Sequence, residues 1–508
     1  MKTLFVRNLR KCSESIFCFI FIAGCSGGTP QSPAGSAAQD PAGVSQQSSA
    51  DSQPGANEPD LVIRGGWLLD MVSDEPNPVR IKGLIIRDGN VADILAADSS
   101  EELPDAAEVI DASSDYILPG LIDPHVHFRP WTPSAAIWRR GHRYYGVTTL
   151  QDFSPCGSDC KVADANEWLL AFKDLVNNSP ISSGPALYIA GKKLDGGPEA
   201  EPQAHGHILN SPDEVAPYID YLAGLGVDLI NLETYLPAEY RRIAVEEGIK
   251  RRLPVTGHST DAKEVILAGE KFIEHMYPIV HSMADEPPDH MVSPDFDYLM
   301  DLSKAPDMIK LIVENDVYIN PTMTSRYGRL SERAETFTRE DEELFKFGQL
   351  YSDTPEEFRP RILAAYRLSD DIDETKLQNF RDGFQKIQSF LQQLSEAGGM
   401  IVAGTDTTAA KMPGLTMHRE LDMLVDAGIT PYRALLGATR WPAQMIYKDD
   451  LIGTIETGKQ ADILILGSNP ADDIANTRDI RYVIRQGSIQ RSPDDCSVIE
   501  PPISQSCW

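Results

Sequence analysis

Between residues 60 and 120, apolar and polar positions alternate in short runs. "LVIRGGWLLD" (61–70), "GLIIRDGNVADIL" (83–95) and "EVIDASSDYILPG" (108–120) are separated by turn residues such as Asp88-Gly89, which predicts a small β unit. From residue 121 the pattern changes to apolar strands alternating with longer stretches of helical period, the mark of parallel β/α units. Eight such strands can be read: "LIDPHVHF" (121–128), "VTTLQDF" (147–153), "ALYIAG" (186–191), "VDLINLE" (227–233), "LPVTGHS" (253–259), "KFIEHM" (271–276), "VYINPTM" (317–323) and "MIVAGTD" (400–406). Helical segments such as "NEWLLAFKDLVNN" and "AEYRRIAVEEGIKR" separate most of them. Eight is the number a closed (β/α)8 barrel needs. Beyond residue 450, "LIGTIETGKQADILIL" and "IRYVIRQGSIQ" return to short strands. The predicted architecture is α/β, a TIM barrel over 119–446 with a β-sandwich built from both chain ends, 59–118 and 447–490, and a tail at 491–508. Residues 324–398 interrupt the seventh unit with charged, amphipathic helical sequence. An insertion after a barrel strand lies at the catalytic face, so it is read either as a lid or as a decorative helical pair.

The first 58 residues do not share this pattern. "MKTLFVRNLRK" carries Lys2, Arg7, Arg10 and Lys11, and "IFCFIFIAGC" follows as an apolar run too short to span a membrane. That is the layout of a signal peptide over residues 1–25. "IAGC" (22–25) resembles the lipobox of bacterial lipoproteins, in which Cys25 is lipidated and becomes the new N-terminus; an ordinary secretory signal cleaved nearby is the alternative. Residues 26–58 are rich in Ser, Gly, Pro, Ala and Gln, a flexible tether. The expected location is the cell envelope, periplasm or outer membrane, with a lipid as the membrane contact.

Charge narrows the partners. The formal net charge is −30 among 508 residues, which argues against nucleic acid and against adsorption to anionic headgroups. The expected partner is a small-molecule substrate, with a homo-oligomer left open. Four cysteines stay with the exported chain beside Cys25, in two local pairs. Cys156 with Cys160 and Cys496 with Cys507 are read as disulfides of an oxidising compartment. A zinc site from "CGSDC" competes, but no second Cys or His pair lies nearby.

The chemistry starts at "GLIDPHVHFRP" (120–130). Alternate side chains of a strand share a face, so His125 and His127 at a strand end can grip one ion. His258 ends the fifth strand, His275 the sixth and Asp406 the eighth, at the ends where barrel enzymes place catalytic groups. Imidazoles and a carboxylate suit zinc or a similar divalent ion, one or two of them.

These motifs resemble the amidohydrolase superfamily, in particular its imidazolonepropionase-like and prolidase-like metal-dependent hydrolases. The resembling stretches are "ILPGLIDPHVHF", "GVTTLQDF", "LPVTGHSTDAKEVILAGEKFIEH", "MIVAGTDTT", "GITPYRALLGATRWPAQMI" and "LIGTIETGKQADILIL", spread over most of residues 60–490. The resemblance implies a distorted (β/α)8 barrel with a β-sandwich, one or two divalent metals, and hydrolysis of C–N bonds. Many relatives carry a carboxylated lysine late in the fourth strand; here Asn231 stands in its place. Glu233, two residues on, faces the same side and is either a bridging ligand or a sign that the site holds one metal.

A bound metal would lower the pKa of a water and polarise the scissile carbonyl. Asp406 would act as general base and then acid. His258 and His275 would bind a second metal or, in a one-metal site, His275 would stabilise the oxyanion. Glu274 and Asp123 are candidates to orient imidazoles. His205, His207, Tyr235, Arg326 and His418 are candidate substrate contacts, an arginine suiting the carboxylate of a dipeptide or N-acyl amino acid. Trp168 and Trp441 are read as packing residues.

Two other readings compete. The missing lysine favours a mononuclear deaminase or cyclic-amide hydrolase. Deaminases of this superfamily usually place a glutamate soon after the fifth-strand histidine, and "HSTDAKE" offers only Asp261 and then Glu264. A catalytically inactive binding lipoprotein on the same scaffold is the non-enzyme alternative, against which the intact His125, His127, His258, His275 and Asp406 speak.

Overall fold

Alternation in residues 60–120 becomes real strands in the computed structural model. It describes residues 59–127, 135–153, 165–178, 184–197, 206–287, 294–347, 350–352, 354–369, 372–408, 410–493 and 495. Cys25, Cys156, Cys160, His205, Cys496 and Cys507 lie outside the described residues, as do the signal and tether segments and the side chain of Trp168.

Strands Val79–Arg87 and Asn90–Ala96 pair antiparallel across Asp88-Gly89. Both turn residues have positive φ (49° and 75°), which the two-residue turn of a right-twisted hairpin requires and glycine meets without strain. The hairpin belongs to a nine-stranded mixed sheet drawn from both chain ends. Ile463–Leu466 lies antiparallel to Tyr116–Pro119 and then to Ile480–Arg485, which pairs with Ser488–Arg491. One cluster of buried aliphatics, Ile63, Leu84, Ile86, Ile117, Ile463 and Ile484 among them, joins the two ends.

The eight predicted strands appear, each inside its expected window and shorter than it: Leu121–Val126, Val147–Asp152, Ala186–Ile189, Ile230–Leu232, Val255–Gly257, Phe272–Glu274, Tyr318–Asn320 and Met400–Ile401. They pair in parallel as three sheets, first with second and third, fourth with fifth, and sixth with seventh and eighth. Parallel bridges Ala190–Leu229 and Val126–Thr407 link these sheets, and the fifth strand lies beside the sixth. Two short strands were not predicted. After a break the third strand resumes as Leu194–Gly196, which pairs with both His207–Leu209 and the fourth strand.

Apolar side chains of the parallel strands, Leu150, Leu187, Ile273, Ile319 and Val402, are fully buried in the main core. The helices Ala165–Asn178 and Ala238–Arg251 fall on the segments whose 3.6-residue period predicted them. The long segment after the seventh strand holds helices Met323–Arg326, Ala334–Phe347, Arg359–Leu363 and Glu374–Glu396. Phe337, Phe384, Ile387 and Phe390 place it inside the main core. Arg419, fully buried, ties it down through Glu340 and Asp341 at 3.0 and 2.8 Å. Among the described residues no helix is long and apolar enough to cross a membrane.

Candidate metal centre

Each strand end is fixed to its neighbour by a last backbone hydrogen bond, and these bonds set the site. Asp406 N donates to His125 O (2.8 Å), His127 N to Thr407 O (3.0 Å), His258 N to Leu232 O (3.0 Å) and His275 N to Asn320 O (2.8 Å). Gly257 precedes His258 at φ 143°; a Cβ there would lie 2.2 Å from Leu232 O, so only glycine lets the fourth and fifth strands approach this closely. His275, Thr322 and Asp406 hold positive φ (65°, 49° and 48°), a conformation that costs non-glycine residues energy and gathers at functional sites.

His125, His127 and Asp406 each offer a ligand atom, and these atoms lie within 4.8 Å of one another. Asp406 Oδ1 is 3.0 Å from His127 Nε2 and 3.7 Å from His125 Nε2. Nε2 of His125 is buried and has no hydrogen-bond partner among the described residues. A lone pair so placed is costly unless something binds it. Two imidazoles and a carboxylate around it are the donor set of zinc or a similar ion, so the residues fit a divalent metal.

The surrounding shell holds these rings in place. His125 Nδ1 donates to Glu274 Oε2 at 2.6 Å, and the same oxygen accepts from Asn320 Nδ2 at 2.6 Å. Thr256 Oγ1 donates to the other oxygen at 3.0 Å. This bond leaves His125 Nε2 free to ligate. The ring also stacks on Phe153 with centroids 4.2 Å apart. Asp123 behaves otherwise. It accepts from His125 N, Thr405 N and Thr405 Oγ1 at 3.2, 3.1 and 2.7 Å, tying the first strand to the eighth rather than orienting a ring.

His258 and His275 stand beside the cluster, their Nε2 atoms 3.1 Å apart, and Thr322 Oγ1 meets His275 Nδ1 at 2.7 Å. Ser325 Oγ donates to Asp406 Oδ2 at 2.8 Å. Glu420 holds the turn carrying Thr322 and Ser325, accepting from Met323 N, Thr324 N and Thr324 Oγ1 at 2.6–2.7 Å. Glu233 does not join the His125–His127–Asp406 group. Its Oε2 is 2.9 Å from Lys193 Nζ, and its Oε1 is 4.0 Å from His258 Nδ1. Asn231 donates its amide to Phe153 O.

Burial and charge set the protonation states. Burial pushes Asp406 up, but the bond from His127 and the neighbouring imidazoles hold it well below the usual carboxylate range. Burial lowers His127 and His275 and, helped by Lys193, takes His258 down to about 4. Burial pulls His125 down too, yet the Glu274 carboxylate outweighs it and raises the ring.

The remaining expectations divide. Tyr235 lines a cleft beyond the fourth and fifth strands together with Arg241, Ser259, Asp261 and Glu264. Arg326 lies with its guanidinium carbon 5.7 Å from the Tyr277 ring centroid. His207 is exposed and stacks on Tyr218, and His418 is buried between Thr477 Oγ1 and Tyr145 O at 2.8 and 3.0 Å, so neither meets the centre. Trp441 is packed in the core, and Asp261 caps helix Ala262–Leu267. Sequence reasoning missed Lys193, Asn320, Thr322 and Ser325. Lys193 lies just beyond the predicted third strand, where no pattern marked the chain's return to the sheet.

Residues 234–490, about half of the chain, match the Amidohydrolase family. Adenine deaminase 2 of Bradyrhizobium sp. (strain ORS 278) is 26% identical over 220 residues, 41% of this chain and 34% of that protein. The chain thus spans about a third of the length of the first curated relatives it matches. Among solved structures, a Xaa-Pro dipeptidase with bound methionine in the active site superposes with TM-score 0.58 at 20% identity, covering 84% of this chain and 99% of that one. The bottromycin amidohydrolase gives 0.61 at 19%, covering 84% and 86%. At these identities the likeness is one of fold.

Proposed function

The chain belongs to the amidohydrolase family, and from that premise we propose that it is a metal-dependent hydrolase of a carbon–nitrogen bond in a small substrate such as a dipeptide or N-acyl amino acid. The observation that carries this reading is the convergence of His125, His127 and Asp406 around a buried, unpartnered imidazole nitrogen. In the same reading the three linked parallel sheets close as one (β/α)8 barrel, and the sheet shared by the chain ends folds as the β-sandwich. The basic and then apolar N-terminal stretch supports export as a lipid-anchored envelope protein, and the charge of −30 supports a small-molecule partner over nucleic acid.

His125, His127 and Asp406 would hold the ion, zinc or a similar one, with His258 and His275 beside it. Such an ion, when bound, lowers the pKa of a neighbouring water and polarises a scissile carbonyl. Asp406, kept ionised, accepts the proton of the attacking water and later passes it to the leaving nitrogen. Ser325 holds one of its oxygens in place for both transfers. If Thr322 Oγ1 donates to Nδ1, the neutral His275 ring carries its proton on Nε2, from which it would donate to a developing oxyanion.

Arg326 favours a substrate with a carboxylate. Among the described residues its buried Nε has no hydrogen-bond partner and no acidic group lies in ion-pair range of it. A guanidinium so placed can hold a carboxylate through two parallel bonds. The second reading is a mononuclear deaminase or cyclic-amide hydrolase, favoured by the adenine deaminases among the relatives. Hydrolysis assays on dipeptides, N-acyl amino acids and adenine, with and without chelator, separate the two. Chelator-sensitive release of amino acid is expected. Ammonia from adenine alone would transfer the assignment to the second reading, and no turnover by metal-loaded protein would favour the inactive binding protein.

A further inference from the structure

We propose that the centre holds one divalent ion, because the ammonium of Lys193 already neutralises Glu233, which is then the ion's neighbour rather than its ligand. This rests on the reading that His125, His127 and Asp406 bind a metal. Lys193 is buried, and a buried ammonium needs a partner. Glu233 is that partner, with Oε2 at 2.9 Å. Its other oxygen faces His258 on the Nδ1 edge, 4.0 Å away, while Nε2 of that ring faces His275 at 3.1 Å. The carboxylate and the space between the two histidines therefore lie on opposite edges of one imidazole.

A second ion between His258 and His275 would need an anionic ligand to offset its charge. Asn231 is neutral, and its amide is engaged by Phe153 O. Glu233 is already neutralised by Lys193, and a dication brought up beside that ammonium would be repelled. With one ion on the His125 side, His258 and His275 remain free for the substrate. Lys193 is then a positioning residue, which keeps Glu233 against His258.

Metal content tests this without reference to activity. Full-length protein is loaded with Zn2+, desalted and analysed by mass spectrometry, and Co2+-loaded samples are examined by electron paramagnetic resonance for spin coupling between ions. One ion per chain and an uncoupled Co2+ signal are expected for the wild type. Lys193→Met frees the Glu233 carboxylate to turn toward the space between the two histidines and should raise the content to two, with coupling. Glu233→Gln should leave it at one, which keeps the test alive if the lysine variant fails to fold. Two ions in the wild type, or a loss of metal in Glu233→Gln, overturns the proposal and leaves the hydrolase reading standing. A folded Lys193→Met that stays at one ion also overturns it. No ion in the wild type overturns the hydrolase reading itself.

Discussion

Nine described residues other than glycine have positive φ, and three of them, His275, Thr322 and Asp406, surround the centre. Each such residue costs on the order of 1–3 kcal/mol, and persists only where surrounding bonds hold it. Here those bonds are visible: Asp406 N on His125 O, His275 N on Asn320 O, and Glu420 on the turn after Thr322. His418 shows the opposite case, a polar residue that sequence alone places among substrate contacts and the fold uses as a strut. Burial takes its pKa down to about 3, so the folded protein holds it neutral. The unfolded chain takes up a proton near pH 6.5, and stability that is full above that pH is lost as the pH falls toward 3. Between pH 7 and pH 5 the wild type should lose about 2 kcal/mol more than a His418→Gln variant. Urea unfolding of both proteins at the two pH values measures this; parallel losses would show that His418 does not titrate in that window.

At the scale of elements, the ends of the fourth and fifth strands share one clamp. Arg241, on the helix that follows the fourth strand, donates to the carbonyl oxygens of Leu236, Glu233, Thr234 and His258 and pairs with Glu270 at 3.1 Å. Both members of the pair are buried, so removing the guanidinium leaves a buried carboxylate and several carbonyls unpaired. Arg241→Met should therefore cost about 3–5 kcal/mol, and adding Glu270→Leu should restore part of it. Denaturant midpoints of the single and double variants decide this, and a double variant no better than the single one would refute the clamp. The eight strands were legible because apolar runs at regular intervals need only local pattern. HxH, the two strand-end histidines and Asp406 were legible because they close such runs. Lys193 was not, because its strand breaks at Gly191 and resumes at Leu194 through pairing with the fourth strand, a long-range event. Thr322 and Ser325 were hidden for a related reason. They matter through hydrogen bonds to residues 47 and 81 positions away.

For the whole molecule, the two ends of the chain are one structural problem. Ile463–Leu466 is fully buried between Tyr116–Pro119 and Ile480–Arg485. The last strand reaches back further: Arg491 donates to Tyr144 O at 2.7 Å and lies over the Tyr144 ring at 3.9 Å, on the helix after the first parallel strand. Strand Leu121–Val126, which carries His125, follows directly on Tyr116–Pro119, so the shared sheet also sets where the candidate metal centre begins. A chain cut after Gly467 would lose Ile480, Val483 and Ile484, each almost fully buried. It would also leave the apolar edge of Ile463–Leu466 open to pairing with other chains. Such a fragment should accumulate as insoluble protein and show no cooperative thermal transition if refolded, although every proposed metal ligand is still present. Co-expression of residues 468–508 as a separate peptide should recover soluble protein if the edge strand is what is missing. A soluble, cooperatively folding fragment without that peptide would mean that the parallel strands fold independently of the shared sheet, and that the centre does not depend on the chain ends meeting.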